Sequence, residues 1–459
     1  MEGIFPCGLP CAGVCLKTEG RGYGMEEYMR ILLEQIHCVQ ARELVGEEIR
    51  NHIMDQAQAN ERAGMDREQA LADAVRDMGD PVETGAALDR IHRPSTDWRL
   101  LVLVGLLSLC SILVHIGVGS RQEMPDGGYG WKHGVRVLMG YGIMLAVYRL
   151  DYGRLGKYAK RIAAGCFFAA LAVSVMGNGL NGAERWVSFG ILGKISFSDL
   201  FYLYIPVYGA LLYRYKGEGY RGVGKCILWM SFPVLTLRAN CLSAAVLLSL
   251  VLMAMFSVAV GKGWFAVPKR KTLAAFWTAF GLLPMLAVAL AVRGNYLALY
   301  QTERLRAFLG KESSYLDYQR QMIMEYAKSI RFIGSSGREF TDLSGINNDH
   351  LLNFVANDYG MAVLLLIGIL LFAVAARIIH VSCGQGNPLG MMIGCGCGLF
   401  FEMVTAVDIL HFFGRIPSMR LFLPFFSPEG EGILVAYLLA GVVLSVYRYR
   451  NIKGCGRPA

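Results

Sequence analysis

The chain has 459 residues, of which 54% are hydrophobic and only 18% charged, with 54 glycines and a formal net charge of +9. A soluble protein of that length would form roughly three domains and cover them with about 25% charged residues, so the deficit excludes a uniform water-soluble globule. Charge is also unevenly placed: residues 25–94 hold 15 Asp and Glu against 8 Arg and no Lys, a local net of −7, while the chain beyond 94 carries +16. The pattern predicts an acidic soluble head on a basic, apolar body.

Residues 1–24 are expected to lie outside the fold, as a disordered lead or because Met25 is the true start; the run Gly20-Arg21-Gly22-Tyr23-Gly24 is compatible with a purine-rich ribosome-binding site read as protein. Their opening residues lack the basic stretch and apolar core of a cleavable signal peptide. Cys7, Cys11 and Cys15 are spaced C-x3-C-x3-C, which is not a usual zinc or haem spacing. Residues 25–94 read as a small cytoplasmic helical unit. Ile31, Leu32, Ile36 and Val39 recur at helical spacing, as do Leu71, Val75 and Met78. Asp66 followed by Gln69 predicts a capping box, and Gly79-Asp80-Pro81 a helix stop followed by a cap with proline in the next first turn. The segments Glu47-Glu48-Ile49 to His52, Gly64-Met65-Asp66 to Ala74, and Met78 to Pro81 resemble the helical prefix domain of various bacterial permeases. Its acidity argues against nucleic acid or anionic lipid as a partner, and a docking or regulatory role is expected.

From Trp98 the chain reads as membrane, since a spanning helix needs about 20 predominantly apolar residues. Ten spans are predicted, at 99–118, 132–149, 160–177, 197–213, 224–237, 241–261, 272–292, 349–376, 388–411 and 431–448, within a membrane domain of 98–450. The fold class is therefore all-α, a polytopic membrane protein of about ten helices. Basic clusters at 149–161, 214–225, 262–271 and 448–453 share one side at that count. Cytoplasmic loops are enriched in Lys and Arg, which puts both termini in the cytoplasm and the long loop 293–348 outside. Trp98, Trp131, Trp186 and Trp264 fall at span ends, where an amphipathic ring favours the interface. None of the 12 cysteines lies in the predicted outer loops 119–131, 178–196, 293–348 or 412–430, so no disulfide framework is implied.

The body has no phosphate loop, H-E-x-x-H or G-x-S-x-G elbow. The run Gly394-Cys395-Gly396-Cys397-Gly398 sits inside a span, where small residues let helices approach closely. Ionisable residues at membrane depth are costly and default to functional candidates; they are Asp199, Asp349, Asp358, Glu402 and Asp408, with Lys194, Arg238 and Arg304 near outer ends. Asp349, Asn353 and Asn357 are spaced by four, which predicts one polar stripe along the eighth helix. Such a stripe either lines a cavity or forms an interhelical hydrogen-bond seam.

Five ordered segments then resemble the SEDS (shape, elongation, division and sporulation) family, of which the rod-shape protein RodA, the division protein FtsW and SpoVE are members. Asn181-Gly182-Ala183-Glu184-Arg185-Trp186-Val187 with Ser196-Phe197-Ser198-Asp199-Leu200 is similar to N-G-A-x-R-W-I … Q-P-S-E-L. Tyr300, Arg304, Leu305, Phe308 and Leu309 fit Y-x-x-x-R-[IL]-x-x-F-L, and Lys328-Ser329 to Gly334-Ser335-Ser336-Gly337 fits Q-S-x-x-A-I-G-S-G-G. Asn348-Asp349 to Asp358-Tyr359-Gly360 resembles T-D-F-I-F … E-L-G. Asp408, Gly414 to Pro417 and Leu423-Pro424-Phe425-Phe426-Ser427-Pro428-Glu429-Gly430 resemble N … G-x-x-P … L-P-F-I-S-Y-G-G. Departures include Tyr202 where the family has lysine, and Arg238-Ala239-Asn240-Cys241-Leu242-Ser243 in place of Q-P-D-x-G-T.

The resemblance implies a peptidoglycan glycosyltransferase that polymerises lipid II and releases undecaprenyl diphosphate, beside a class B penicillin-binding protein, in elongation, division or sporulation. It carries the essential acid to Asp349, which would take the proton of the attacking sugar hydroxyl. Arg304, Arg185 and Lys194 are the outer cations available to oppose the diphosphate. Asp199, Ser329 and Gly334 are further substrate-side candidates, and Asn353, Asn357, Asp408 and Pro424 structural or cavity-lining ones. A divalent cation such as Mg bridging diphosphate and carboxylate is compatible, but no ligand cluster demands it. Two other readings stay open: a lipid-linked precursor transporter with Asp349 and Asp199 as protonation sites, and a noncatalytic scaffold.

Overall fold

The computed structural model describes residues 24–121, 128–176, 186–188, 194–294, 325, 327–337, 351–416 and 422–451. The chain divides into two units between Arg93 and Pro94.

The first unit holds α1 (Met25–Glu34), α2 (Val39–Arg62), α3 (Arg67–Asp77) and α4 (Pro81–His92). Its core follows from helical spacing: Ala41, Val45, Ile49, Ile53 and Ala57 recur every fourth residue on α2 and are buried with Tyr28, Met29, Leu32, Ala70, Ala74 and Val75. Asp66 caps α3 by accepting the N–H of Glu68, one residue earlier than a capping box reaches. Asp80 caps α4 by accepting the N–H of Glu83, with Pro81 in the first turn. The Tyr28 hydroxyl donates to the Met78 carbonyl at 3.3 Å, tying α1 to the α3–α4 corner. Burial pushes the Tyr28 phenol above its ordinary range.

The second unit is the membrane body. In chain order it contains α5 (Trp98–Arg121), α6 (Tyr129–Arg149), α7 (Gly153–Met176), strands β1 (Trp186–Ser188) and β2 (Lys194–Ser196), α8 (Phe197–Leu200) and, after a 3₁₀ turn, α9 (Tyr204–Arg214). It continues with α10 (Gly219–Asn240), α11 (Leu242–Gly261), α12 (Lys269–Trp277), a π-turn at Thr278–Leu282, α13 (Leu283–Arg293), α14 (Leu351–Tyr359), α15 (Met361–Cys383), α16 (Pro388–Phe412) and α17 (Gly430–Arg448). Among the described residues, 5 of these helices are by length and composition alone apolar enough to cross a membrane, and the fold is an all-α polytopic membrane bundle. The strands form a three-residue antiparallel hairpin, with Trp186 opposite Ser196 and Ser188 opposite Lys194.

Two predicted spans take a different form. The eighth, 349–376, is two helices: Gly360 has φ +93°, a conformation an L side chain rarely adopts, and it separates α14 from α15. The fifth, the shortest by hydropathy, belongs to a 22-residue α10 despite Pro233 in its interior. Proline has no N–H to give the carbonyl four residues back, and the Tyr204 hydroxyl donates to that Trp229 carbonyl instead, at 3.0 Å.

Small residues set the helix spacing, as expected where lipid removes the hydrophobic drive between helices. A Cβ on Gly396 would lie 2.6 Å from the Met255 sulfur of α11, and one on Gly398 2.7 Å from Ile379 of α15. The Gly394–Gly398 run is thus packing. At the end of the bundle bearing Arg149 and Arg448, Arg377 forks onto Asp97 with Nε and Nη2 bonds of 3.0 Å each. Asp97 also caps α5 through the Leu100 N–H, and the Ser95 N–H reaches the Arg448 carbonyl at 3.2 Å.

Candidate functional site

The break at Gly360 is where two of the family-like segments meet. The chain at 330–337 runs beside the α14–α15 junction and exchanges main-chain bonds with it. The N–H groups of Met361 and Ala362 donate to the carbonyls of Arg331 and Phe332, each at 2.9 Å. In return, Gly334 N–H donates to Tyr359 O at 3.2 Å and Ser336 N–H to Asn357 O at 2.9 Å. The first N–H groups of a helix have no partner inside it, and here the 330–337 segment supplies carbonyls for two of them. A side chain at 360 would sit 2.8 Å from the Phe332 carbonyl oxygen, so the close approach itself needs glycine.

On α14, Asn353 and Asn357 are buried on one face, at 3% and 1% exposure. Their chemistry differs. Ser336 Oγ donates to Asn357 Oδ1 at 2.5 Å, and Asn357 Nδ2 donates to Asp358 Oδ1 at 3.3 Å, so Asn357 holds the 330–337 segment. The Asn353 amide nitrogen is buried without a partner among the described residues, which an ordering role alone does not explain. The Tyr359 hydroxyl crosses to α5 and donates to the Val114 carbonyl at 3.3 Å.

A second group forms around Tyr202, which is fully buried and packs against Phe400 and Phe422. Asp199 and Asp408 both lie within electrostatic reach of its hydroxyl, at the position where the family lysine is replaced. Glu402, by contrast, is exposed on α16.

A third group is the turn 422–430 with the family-like Leu423–Gly430 segment. Pro424 is buried there, and Phe425 takes φ +66°, a strained value for an aromatic residue. Its ring stacks on Phe401 at 5.6 Å and meets Tyr437 edge-on at 5.1 Å, which holds the strained backbone in place. Ser427 Oγ bonds both the N–H and the carbonyl of Glu429.

Of the other candidates, Ser329 is half-buried at the end of a helical turn and Gly334 has φ +86° within the docked segment. Lys194 is described in its backbone alone, in β2, and Arg185, Arg304 and Asp349 lie outside the described residues. Sequence reasoning passed over His115, His133 and Arg136. Their signal was available, because ionisable side chains inside the first two spans fall under the same rule that selected the acids.

Comparison with known proteins agrees with this architecture. The family model described as "Cell cycle protein" (FtsW, RodA, SpoVE) matches residues 95–452. A probable peptidoglycan glycosyltransferase FtsW of Geobacter sulfurreducens is 24% identical over 368 residues, covering 76% of this chain and 93% of that relative. The corresponding protein of Aromatoleum aromaticum is 24% identical over 422 residues, covering 83% and 97%. Among solved structures, a chain of a peptidoglycan synthase complex that coordinates polymerization and crosslinking superposes with a TM-score of 0.62 at 22% identity, covering 78% of this chain and 98% of that one. The Thermus thermophilus rod shape determining protein RodA gives 0.55 at 18% identity, with the same coverage of 78% and 98%.

Proposed function

Because the chain belongs to the SEDS family of cell cycle proteins, the family of FtsW, RodA and SpoVE, we propose that it is a membrane peptidoglycan glycosyltransferase that polymerises lipid II. The observation that carries this reading is the family match across nearly the whole membrane body, supported by the two family-like segments knit together at Gly360.

The reaction joins an acceptor sugar 4-hydroxyl to the anomeric carbon of a lipid-linked donor. As the new C–O bond forms, the bond to undecaprenyl diphosphate breaks and the hydroxyl proton must leave. Asp349 is the base for that proton. It stands two residues before α14, on the same sequence stripe as Asn353. Arg304, Arg185 and Lys194 are the cations that oppose the departing diphosphate, a charge that grows in the transition state. Among the described residues no three His, Cys, Asp or Glu side chains converge as metal ligands. A bridging divalent ion would therefore draw on the substrate's diphosphate and on Asp349, and it would screen the charge of the leaving group.

The basic end of the bundle faces the cytoplasm, with both termini and the acidic head, and the opposite end presents the site outward. The partner is a penicillin-binding protein, and a single-pass class B member supplies the crosslinking that a polymerase lacks.

The test is polymerisation of labelled lipid II by the purified protein, with and without a co-expressed penicillin-binding protein. Glycan chains are expected from the wild type, and at least about a hundredfold fewer from Asp349→Asn, the usual cost of losing a positioned base. Undiminished polymerisation by that variant would remove Asp349 from its role. Lipid II flipping without polymerisation would replace the enzyme with a transporter.

A further inference from the structure

Between the turn 422–430 and the α14–α15 junction runs a polar seam through α5 and α6. Arg136 of α6 donates from Nη1 to the Pro428 carbonyl at 2.8 Å, and its guanidinium lies in the field of Glu429, Glu431 and Tyr129. One helical turn earlier, His133 stacks face to face on His115 of α5, with ring centroids 3.6 Å apart and planes 8° from parallel. Both imidazoles are fully buried and both are bonded to Ser111: His115 Nδ1 donates to its carbonyl at 2.9 Å, and His133 Nε2 meets its hydroxyl at 2.8 Å. Val114, the residue before His115, accepts the Tyr359 hydroxyl. The seam thus connects Tyr359 at one family-like segment to Pro428 at another.

This arrangement does not suit a metal. A metal lies in the plane of each imidazole that binds it, and two nearly parallel planes do not meet at one ion. Stability alone does not account for it either. His115 Nε2 and His133 Nδ1 are buried without partners among the described residues, a cost that an apolar pair of the same shape would avoid. Arg136 is the member that reaches the strained turn. A proline carbonyl at a turn is a fixed target for a guanidinium, which offers several N–H donors in a rigid fork.

We propose that Arg136 is a positioning residue: through the Pro428 carbonyl it fixes the 422–430 turn, with the His115–His133 stack one helical turn away as the rigid bearing of the same seam. Its effect on turnover rests on the polymerase reading above; its effect on the turn does not.

The experiment is backbone hydrogen exchange on the full-length protein in lipid nanodiscs, paired with lipid II kinetics. Arg136→Met keeps length and apolar volume but removes charge and donors. It is expected to raise exchange in the 422–430 amides about tenfold or more, the equivalent of one lost charge-assisted hydrogen bond, while the cores of α11 and α16 keep their protection. In the kinetic arm kcat falls about tenfold with KM held within about twofold, the signature of lost positioning rather than lost substrate binding. Arg136→Lys keeps the charge with a shorter reach; it is expected to show the same localised change at smaller amplitude, and it carries the test where Arg136→Met does not fold. Unchanged exchange at 422–430, or an equal rise throughout the bundle, would overturn the proposal. A wild type that makes no glycan would overturn the polymerase reading and leave the exchange arm to decide on Arg136.

Discussion

Asn353 and Asn357 sit one turn apart on the same buried face, yet they obey opposite arithmetic. Asn357 has its oxygen on Ser336 and its amide on Asp358. Removing one partner of such a set leaves the other unsatisfied in a buried place, at about 1–3 kcal/mol. Asn357→Leu is therefore expected to lower the melting temperature in detergent. Asn353 has a buried donor with nothing to donate to among the described residues, so Asn353→Leu is expected to leave the melting temperature unchanged or raise it, while lowering lipid II polymerisation. The reverse ranking in a pair of thermal melts would show that the two amides have been assigned the wrong way round. The spacing of four in the sequence put both on one stripe, but it carried no information about which one meets Ser336, because that partner arrives from 21 residues away in the chain.

At the scale of elements, the Asp97–Arg377 pair joins the start of α5 to the far end of α15. Both side chains are largely withdrawn from solvent, at 1% and 17% exposure. Breaking such a pair on one side costs about 3–5 kcal/mol, because the partner is left charged and buried. Arg377→Met is expected to lower stability by about that much in denaturant or thermal unfolding, and Asp97→Leu added to it to restore much of the loss. A single variant as stable as the wild type would show that the pair is solvated in the membrane. The spans themselves were legible because hydropathy over about 20 residues is a property of a segment alone. What was not legible needed a second segment. The break at Gly360 requires the 330–337 carbonyls, the tolerance of Pro233 requires the Tyr204 hydroxyl, and the β1–β2 hairpin has three-residue strands too short to show a period. Arg136 was legible as a charge inside a span, but its partner Pro428, 292 residues away in the chain, was not.

For the whole molecule, the charge imbalance of the sequence resolves into an acidic helical unit and a basic polytopic membrane body whose family-like segments lie on α14–α15, on the turn before α17 and around Tyr202. The body keeps its family's architecture at sequence identities of 24% and below, and the docked 330–337 segment shows one way it does so. Its bonds to the α14–α15 junction run mostly from main chain to main chain, and Phe332 and Ile333 are exposed, at 66% and 75%. Evolution is then free to rewrite the outward side chains at 332 and 333, but not the segment's length, its Ser336 hydroxyl or the positive-φ glycine at 334. A one-residue insertion between Ile333 and Gly334 is expected to abolish polymerisation by throwing the Gly334 and Ser336 pairings out of register with those of Arg331 and Phe332, whereas Phe332→Ser leaves it within about twofold, as for exposed positions generally. The two outcomes separate in a single lipid II assay. Substitutions at these outward positions are thus a poor guide to lost function in divergent members, and insertions or deletions in the stretch a good one.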